Sequence, residues 1–239
     1  MPLYRYNRGM IIRHLHEWQV STITAIALQK KLASRIRQDK TLDNFRYIAG
    51  VDVSTHRLHE EGTAAVVVLS YPELELLEES KVCGKVDFPY IPGLLSFREA
   101  PLILEAFRKL SITPHLVLVD GQGIAHPRRF GIAAHLGLLL DVPTIGCAKS
   151  RLCGIYEEPG MGSGDCTDLK DGDEVIGKVL RTKSETRPVF VSIGHKINLN
   201  QATSWVLLCC KGFRLPEPTR LAHQAAGGHL RRAPTTQVV

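Results

Sequence analysis

The sequence predicts an α/β domain: a mixed sheet with helices on both faces. Three observations carry this. Strand-like apolar runs come three in succession, at Tyr47–Val53, Thr63–Ser70 and within Glu73–Val86. Beyond them, helical and strand-like segments alternate. Thr63–Ser70 and the short run Leu116–Val119 are apolar enough to be buried on both faces, as central strands are. A meander that leads into alternating helices and strands gives a sheet of mixed direction covered on both sides.

Taken in order, residues 1–17 are polar, basic and aromatic without a clear period, and read as an extension. Ser21–Arg37 reads as a helix, with Ile23, Ile26, Ala27, Leu32 and Ile36 as an apolar stripe and Ser21 as N-cap. A charged connection, His56–Gly62, joins the first two strands. After a Pro-rich loop, a helix runs from Ser96 to about Leu110 and is broken by Thr113-Pro114. Phe130–Leu140 is apolar enough for a buried helix, and Val142–Ala148 is another strand. The Gly-rich segment Glu157–Gly172 reads as a surface loop, followed by strands at Val175–Arg181 and Val189–Ile193. Leu199–Cys210 is a helix ended by Gly212, and Pro218–Ala226 is a short helix with proline in its first turn. From Gly227 onward the chain reads as a frayed, disordered tail. Neither a repeat nor a linker divides residues 18–226, which are taken as one domain.

With 239 residues the chain can bury a substantial core. Its 44% hydrophobic and 23% charged residues are those of an ordinary globular protein, which excludes a disordered or fibrous class. A net charge of +6 and a pI of about 9.1 suit a polyanionic partner without identifying one. The six cysteines show no C-x-x-C spacing and follow no secretory signal, so they read as reduced thiols of a cytoplasmic protein, and a zinc site is not expected. Since no apolar run is long enough to span a bilayer, no membrane partner is expected.

Three acidic residues stand on segments able to hold them still. Asp120 follows four apolar strand residues and precedes Gly121-Gln122-Gly123, at a strand end where ligands bind in open sheets. An Asx-type turn is an equal explanation for it alone. Asp52 alternates with Val51 and Val53, and taken singly reads as solvent-facing. Glu99 lies three residues after Ser96, the spacing of a capping box, and that spacing favours a cap. What tips all three toward function is their co-occurrence, because carboxylates gathered from separate rigid elements can hold a divalent metal beside a phosphodiester. His126, Arg128 and Arg129 form a basic cluster that either grips phosphate or is a solvated loop. Lys149 stands at another strand end, where it can pair with an acid or reach a phosphate. His223 reads more simply as an exposed helical histidine than as a contact near metal. Tyr90, stiffened by Pro89 and Pro92, either stacks on bases or fills the core beneath a turn.

Read together, six segments carry a resemblance. They are Ala49–Val53, Pro89–Glu99, Asp120–Arg129, Gly131–Gly137, Val142–Lys149 and Arg214–Arg220. In sequence and order they resemble endonuclease V, the deoxyinosine-specific nuclease family, from about residue 20 to 224. Gln122 stands where some members have histidine, and the N-terminal extension is not a shared feature. The resemblance implies a ribonuclease-H-like fold and a DNA repair endonuclease that cleaves the second phosphodiester 3′ to deoxyinosine. It implies that Asp52, Glu99 and Asp120 bind Mg²⁺, with Mn²⁺ able to substitute, and that His223 contributes near the metal. Lys149 then belongs near the scissile phosphate, and Tyr90 to a wedge formed with Ile91 and Pro92. Gly93, Leu95, Gly121 and Gly123 surround the displaced base, with His126, Arg128 and Arg129 on the DNA side. The expected partner is deoxyinosine-containing DNA, met by a monomer. Alternatives on the same fold are an inosine-specific endoribonuclease or a branched-DNA nuclease, and in another class a catalytically silent nucleic-acid-binding module.

Overall fold

The computed structural model describes residues 10–38, 45–55 and 60–230. Among them is an eight-stranded mixed sheet of order β3-β2-β1-β4-β5-β8-β7-β6. Its strands are β1 (Tyr47–Thr55), β2 (Glu61–Ser70), β3 (Leu76–Lys85), β4 (Leu116–Val119), β5 (Thr144–Ala148), β6 (Cys166–Asp171), β7 (Glu174–Leu180) and β8 (Val189–His195). The helices are α1 (Thr22–Ala33), α2 (Leu95–Arg108), α3 (Ile132–Leu140), α4 (Leu199–Leu208) and α5 (Glu217–Ala226). β1, β4 and β5 are mutually parallel, while every other pairing is antiparallel.

The two-residue period of a strand sorts the core into two layers. Ala49 and Val51 of β1 join Ala64, Val66 and Val68 of β2 against Ile103 and Phe107 of α2 and Leu136 of α3. Ile48 of β1 faces the other way, with Leu116, Leu118 and Ile145, against Ala202 and Val206 of α4. Ala65 and Val67 meet Ala222, Ala225 and Ala226 of α5, where small side chains let the helix lie close to the sheet. Helices thus cover both faces, as the alternation of elements requires.

Several expectations are corrected. α1 ends at Ala33 instead of reaching Arg37, and its buried residues are Ala25, Gln29 and Leu32. Ile23, assigned to the buried stripe, is 82% exposed, because a face spaced i, i+4, i+7 with one hydrogen-bonded glutamine won over the more apolar one. Ser21 does cap α1, accepting from the Thr24 backbone N–H at 3.1 Å. The Ser96–Glu99 capping box is not formed. α2 begins at Leu95, so Ser96 lies inside the first turn, and its hydroxyl meets His135 Nδ1 at 3.0 Å. The expected loop Glu157–Gly172 contains β6, whose single buried residue, Leu169, gave the sequence no alternation to show.

Residues 10–17 of the expected extension pack on the core through Met10, Ile12 and Leu15, as does Trp18 just beyond it. The Arg13 backbone N–H donates to Leu139 O at 2.7 Å, and its guanidinium meets Asp141 at 2.5 Å. Gly227 and Gly228 close α5 through N–H bonds to His223 O and Ala225 O. The remainder of the extension (1–9), most of the charged connection (56–59) and the rest of the tail (231–239) lie outside the described residues.

Candidate active site

Because β1, β4 and β5 run parallel side by side, their carboxyl ends share one edge, where chain ends and turns can converge on a ligand. Asp52 lies toward that end of β1, Asp120 directly follows β4, and Lys149 directly follows β5. The Asp120 N–H donates to Val51 O at 3.1 Å, which fixes the turn after β4 against β1. Lys149 Nζ reaches Asp120 Oδ2 at 2.5 Å.

The fourth member comes from α5. Ile48, Gly50 and Asp52 alternate onto one face of β1. A Cβ added to Gly50 would stand 1.8 Å from Pro218 O, so only glycine lets the first turn of α5 lie against β1. That approach brings His223 Nδ1 to 2.6 Å from Asp52 Oδ2. Donor atoms of Asp52, Asp120 and His223 all lie within 4.8 Å of one another. Glu99 stands outside this trio but inside its field. Burial first, then the charge of Asp52, push its carboxyl up to about 8, with Asp120 adding and Arg98 opposing. Burial and then Asp52 also raise Asp120, against the pull of Lys149 and His223. A cation would relieve the negative field that raises Glu99 and Asp120. Two carboxylates, one imidazole and an adjoining carboxyl are a donor set that fits a hard divalent ion.

Beside this cluster opens a cavity of about 340 Å³. Asp120, Gly121 and Lys149 line it from the strand edge, and Tyr90–Gly93, Leu95 and His126 complete the wall. Tyr90 is 71% exposed, which overturns its reading as a core filler. Small-molecule sites have this scale and this mixture of apolar walls with a few polar groups.

Comparison with known proteins decides the family. The endonuclease V family model matches residues 30–224. The chain belongs to the endonuclease V family. It is 52% identical to endonuclease V of Dehalococcoides mccartyi over 215 residues, 90% of this chain and 96% of that one. The crystal structure of endonuclease V from Streptomyces avermitilis superposes with a TM-score of 0.85 at 39% identity, covering 92% of this chain and 97% of that one. Ciona intestinalis endonuclease V, in complex with a 23mer DNA containing an inosine followed by a ribo-adenosine, matches with a TM-score of 0.76 at 32% identity, covering 88% and 98%. Membership of this family makes the protein a nuclease, on the ribonuclease-H-like mixed sheet that the resemblance implied.

Within this chain, three residues expected at the recognition site do not line the cavity. Gly123 packs against β8, where an added Cβ would stand 2.0 Å from Ile193 O, and its N–H donates to Ser192 Oγ. Arg129 is held by Asp171 and Glu174, at 2.9 and 2.8 Å. Arg128 points at protein acceptors, Gln29 Oε1 and Gly93 O. In sequence Arg129 looks like part of a phosphate grip until its acidic partners, more than forty positions away, are seen. Sequence reasoning also missed several cavity residues, Gln29, Ser150 and Arg151 among them. The only signal for Gln29 was its i, i+4 and i, i+3 spacing from Ala25 and Leu32. Gln122 donates Nε2 to Ser150 O at 2.9 Å.

Proposed function

We propose that this protein is a metal-dependent DNA repair enzyme that recognises deoxyinosine and cleaves the second phosphodiester 3′ to it. The observation that carries the reading is the cavity walled by Tyr90–Gly93 directly beside the Asp52, Asp120 and His223 cluster. The inosine-containing DNA bound by the Ciona relative supports the substrate class.

Asp52, Asp120 and His223 would hold Mg²⁺, or Mn²⁺ in its place, with Glu99 adjoining. Such an ion, when bound, supplies Lewis acidity for activating water and for stabilising the leaving 3′ oxygen. Lys149, now engaged with Asp120, offers its ammonium to the phosphate that enters the cluster. The exposed Tyr90 ring takes the stacking place of a base swung into the cavity. Gly121 lines the cavity, its missing Cβ lying toward Ile132, and hypoxanthine presents a 6-oxo group and N1–H that backbone donors and acceptors can match. No described helix is long and apolar enough to cross a membrane. All six cysteines are free thiols, which supports a reducing compartment such as the cytoplasm.

The test is parallel cleavage of matched deoxyinosine duplex DNA, inosine-containing RNA and branched DNA, with Mg²⁺ and with chelator. The expected result is one cut, two bonds 3′ of deoxyinosine, lost on chelation. Preferential cutting of the RNA or of the junction would replace the substrate assignment, and full activity in chelator would overturn the metal assignment.

A further inference from the structure

The carbonyl oxygen of Gly93 is unusually crowded. Gln29 Nε2 donates to it at 2.9 Å, His126 Nε2 lies 2.9 Å away, and Arg128 NH2 donates at 2.7 Å. A carbonyl oxygen has two lone pairs, so three donors saturate it. Each donor is itself fixed. Gln29, 1% exposed, gives its second N–H to Phe130 O at 2.9 Å and accepts from Arg128 Nε at 2.6 Å. Its amide can face only one way, since the flipped amide would set its oxygen against two carbonyls. His126 Nδ1 accepts from the Arg128 backbone N–H at 3.1 Å, which leaves the proton on Nε2 to donate to Gly93. Burial pushes His126 down to about 4, so this neutral tautomer persists at working pH.

Gly93 has φ +79°, and a Cβ there would meet Arg128 NH2 at 2.7 Å. The left-handed turn and the three donors therefore require one another. What they hold is the short loop that carries Tyr90, closed by an N–H bond from Leu94 to Ile91 O at 2.9 Å.

We infer that Gln29, His126 and Arg128 are positioning residues, a three-donor clamp on Gly93 that keeps the Tyr90 loop preorganised for wedging into a duplex. This rests on the proposed function and deepens it. Arg128 acts through the protein and not on a phosphate. Opening a paired duplex needs a stiff wedge, whereas an inosine in a single strand is already unstacked or nearly so. Loss of the clamp therefore falls on duplex substrate.

Two variants test it, with Arg128→Ala as a third for the salt slope alone. Gln29→Leu removes the central amide. Arg128→Lys keeps a positive charge, which a phosphate contact tolerates, but loses the fork that bridges Gln29 and Gly93. Single-turnover cleavage of deoxyinosine in duplex and in single strand is measured for each, together with duplex affinity against salt and hydrogen exchange at the Leu94 amide. We expect the duplex-to-single-strand rate ratio to fall at least tenfold, Leu94 exchange to quicken at least tenfold, and the salt slope to stay unchanged. An unchanged ratio, or equal losses on both substrates, overturns the clamp, as does a salt slope reduced by about one for Arg128→Ala. Exchange at Leu94 needs no substrate, so the clamp stands or falls by it even if deoxyinosine proves not to be cleaved. If Gln29→Leu does not fold, Arg128→Lys decides.

Discussion

Gly50→Ala is the smallest change that should separate His223 from Asp52 and Asp120. The added Cβ would lie 1.8 Å from Pro218 O and 2.0 Å from Pro218 C, both backbone atoms of the first turn of α5, so no side-chain rotation relieves it. Reaching ordinary contact at 3.4 Å demands a displacement of about 1.6 Å. β1 is held on both sides, by β2 and β4, so α5 is the element that yields. His223, five residues further along the helix, moves with it and loses its 2.6 Å approach to Asp52. Overpacking of this kind costs roughly 1–3 kcal/mol of stability. A misplacement of about 1 Å at a catalytic group costs on the order of a hundredfold in rate. The assay is single-turnover cleavage of deoxyinosine duplex across a Mg²⁺ titration, alongside a thermal melt. A folded variant should show a rate down about a hundredfold and a raised Mg²⁺ requirement. Cleavage within threefold of wild type at the wild-type Mg²⁺ midpoint would refute the claim that the seating of α5 on Gly50 builds the site.

Other outcomes follow from the same geometry. Asp120→Ala should abolish cleavage while lesion binding largely survives, because a hard cation loses an anionic oxygen and the cavity wall stays; residual turnover above about a tenth of wild type would count against the metal role. Tyr90→Ala should cost most on duplex deoxyinosine and least on single strands, and Tyr90→Phe should be mild; base–aromatic stacking is worth roughly 1–3 kcal/mol, and equal losses on both substrates would exclude a wedge. Acid should unfold the protein through its buried histidines. His126 and His195 are each pushed down to about 4 by burial, and His135 well below its ordinary value. The unfolded chain binds protons at these sites near pH 6.5 and the folded one does not, so stability is full above about 6.5 and falls as pH drops toward about 4. Each of the two histidines near 4 contributes on the order of 2–3 kcal/mol to that fall. A denaturation free energy that is flat between pH 6.5 and 4.5 would exclude the effect.

Much of the fold was legible because its signals are local. Four consecutive apolar residues at Leu116–Val119 mark a strand buried on both faces, and such a strand is central in the sheet that formed. Asp120 was placed at a strand end for the same reason, but there an Asx-type turn is an equal explanation, and only its co-occurrence with Asp52 and Glu99 tipped the reading. β6 was not legible, because an edge strand with one buried residue has no period to read. His223 taken singly read as an exposed helical histidine, since what brings it to Asp52 is Gly50, more than 170 positions away, which lets its helix approach β1.

The three basic residues after Asp120 show where sequence reasoning stops. His126, Arg128 and Arg129 look alike as a solvated, phosphate-seeking cluster. Folding assigns them to different partners: Arg129 to two carboxylates on the β6–β7 hairpin, Arg128 and His126 to one peptide oxygen. Charge alone could not distinguish these fates, because each depends on an acceptor supplied by another element. For Arg129 those acceptors are Asp171 and Glu174, and an arginine already neutralised by two acids contributes little to counterion release. The salt dependence of DNA binding should therefore come from other basic residues. Arg129→Gln should leave the salt slope unchanged and lower stability through the lost ion pairs, by no more than about 1 kcal/mol for so exposed a network. A slope reduced by about one, with unaltered melting, would return Arg129 to the phosphate backbone.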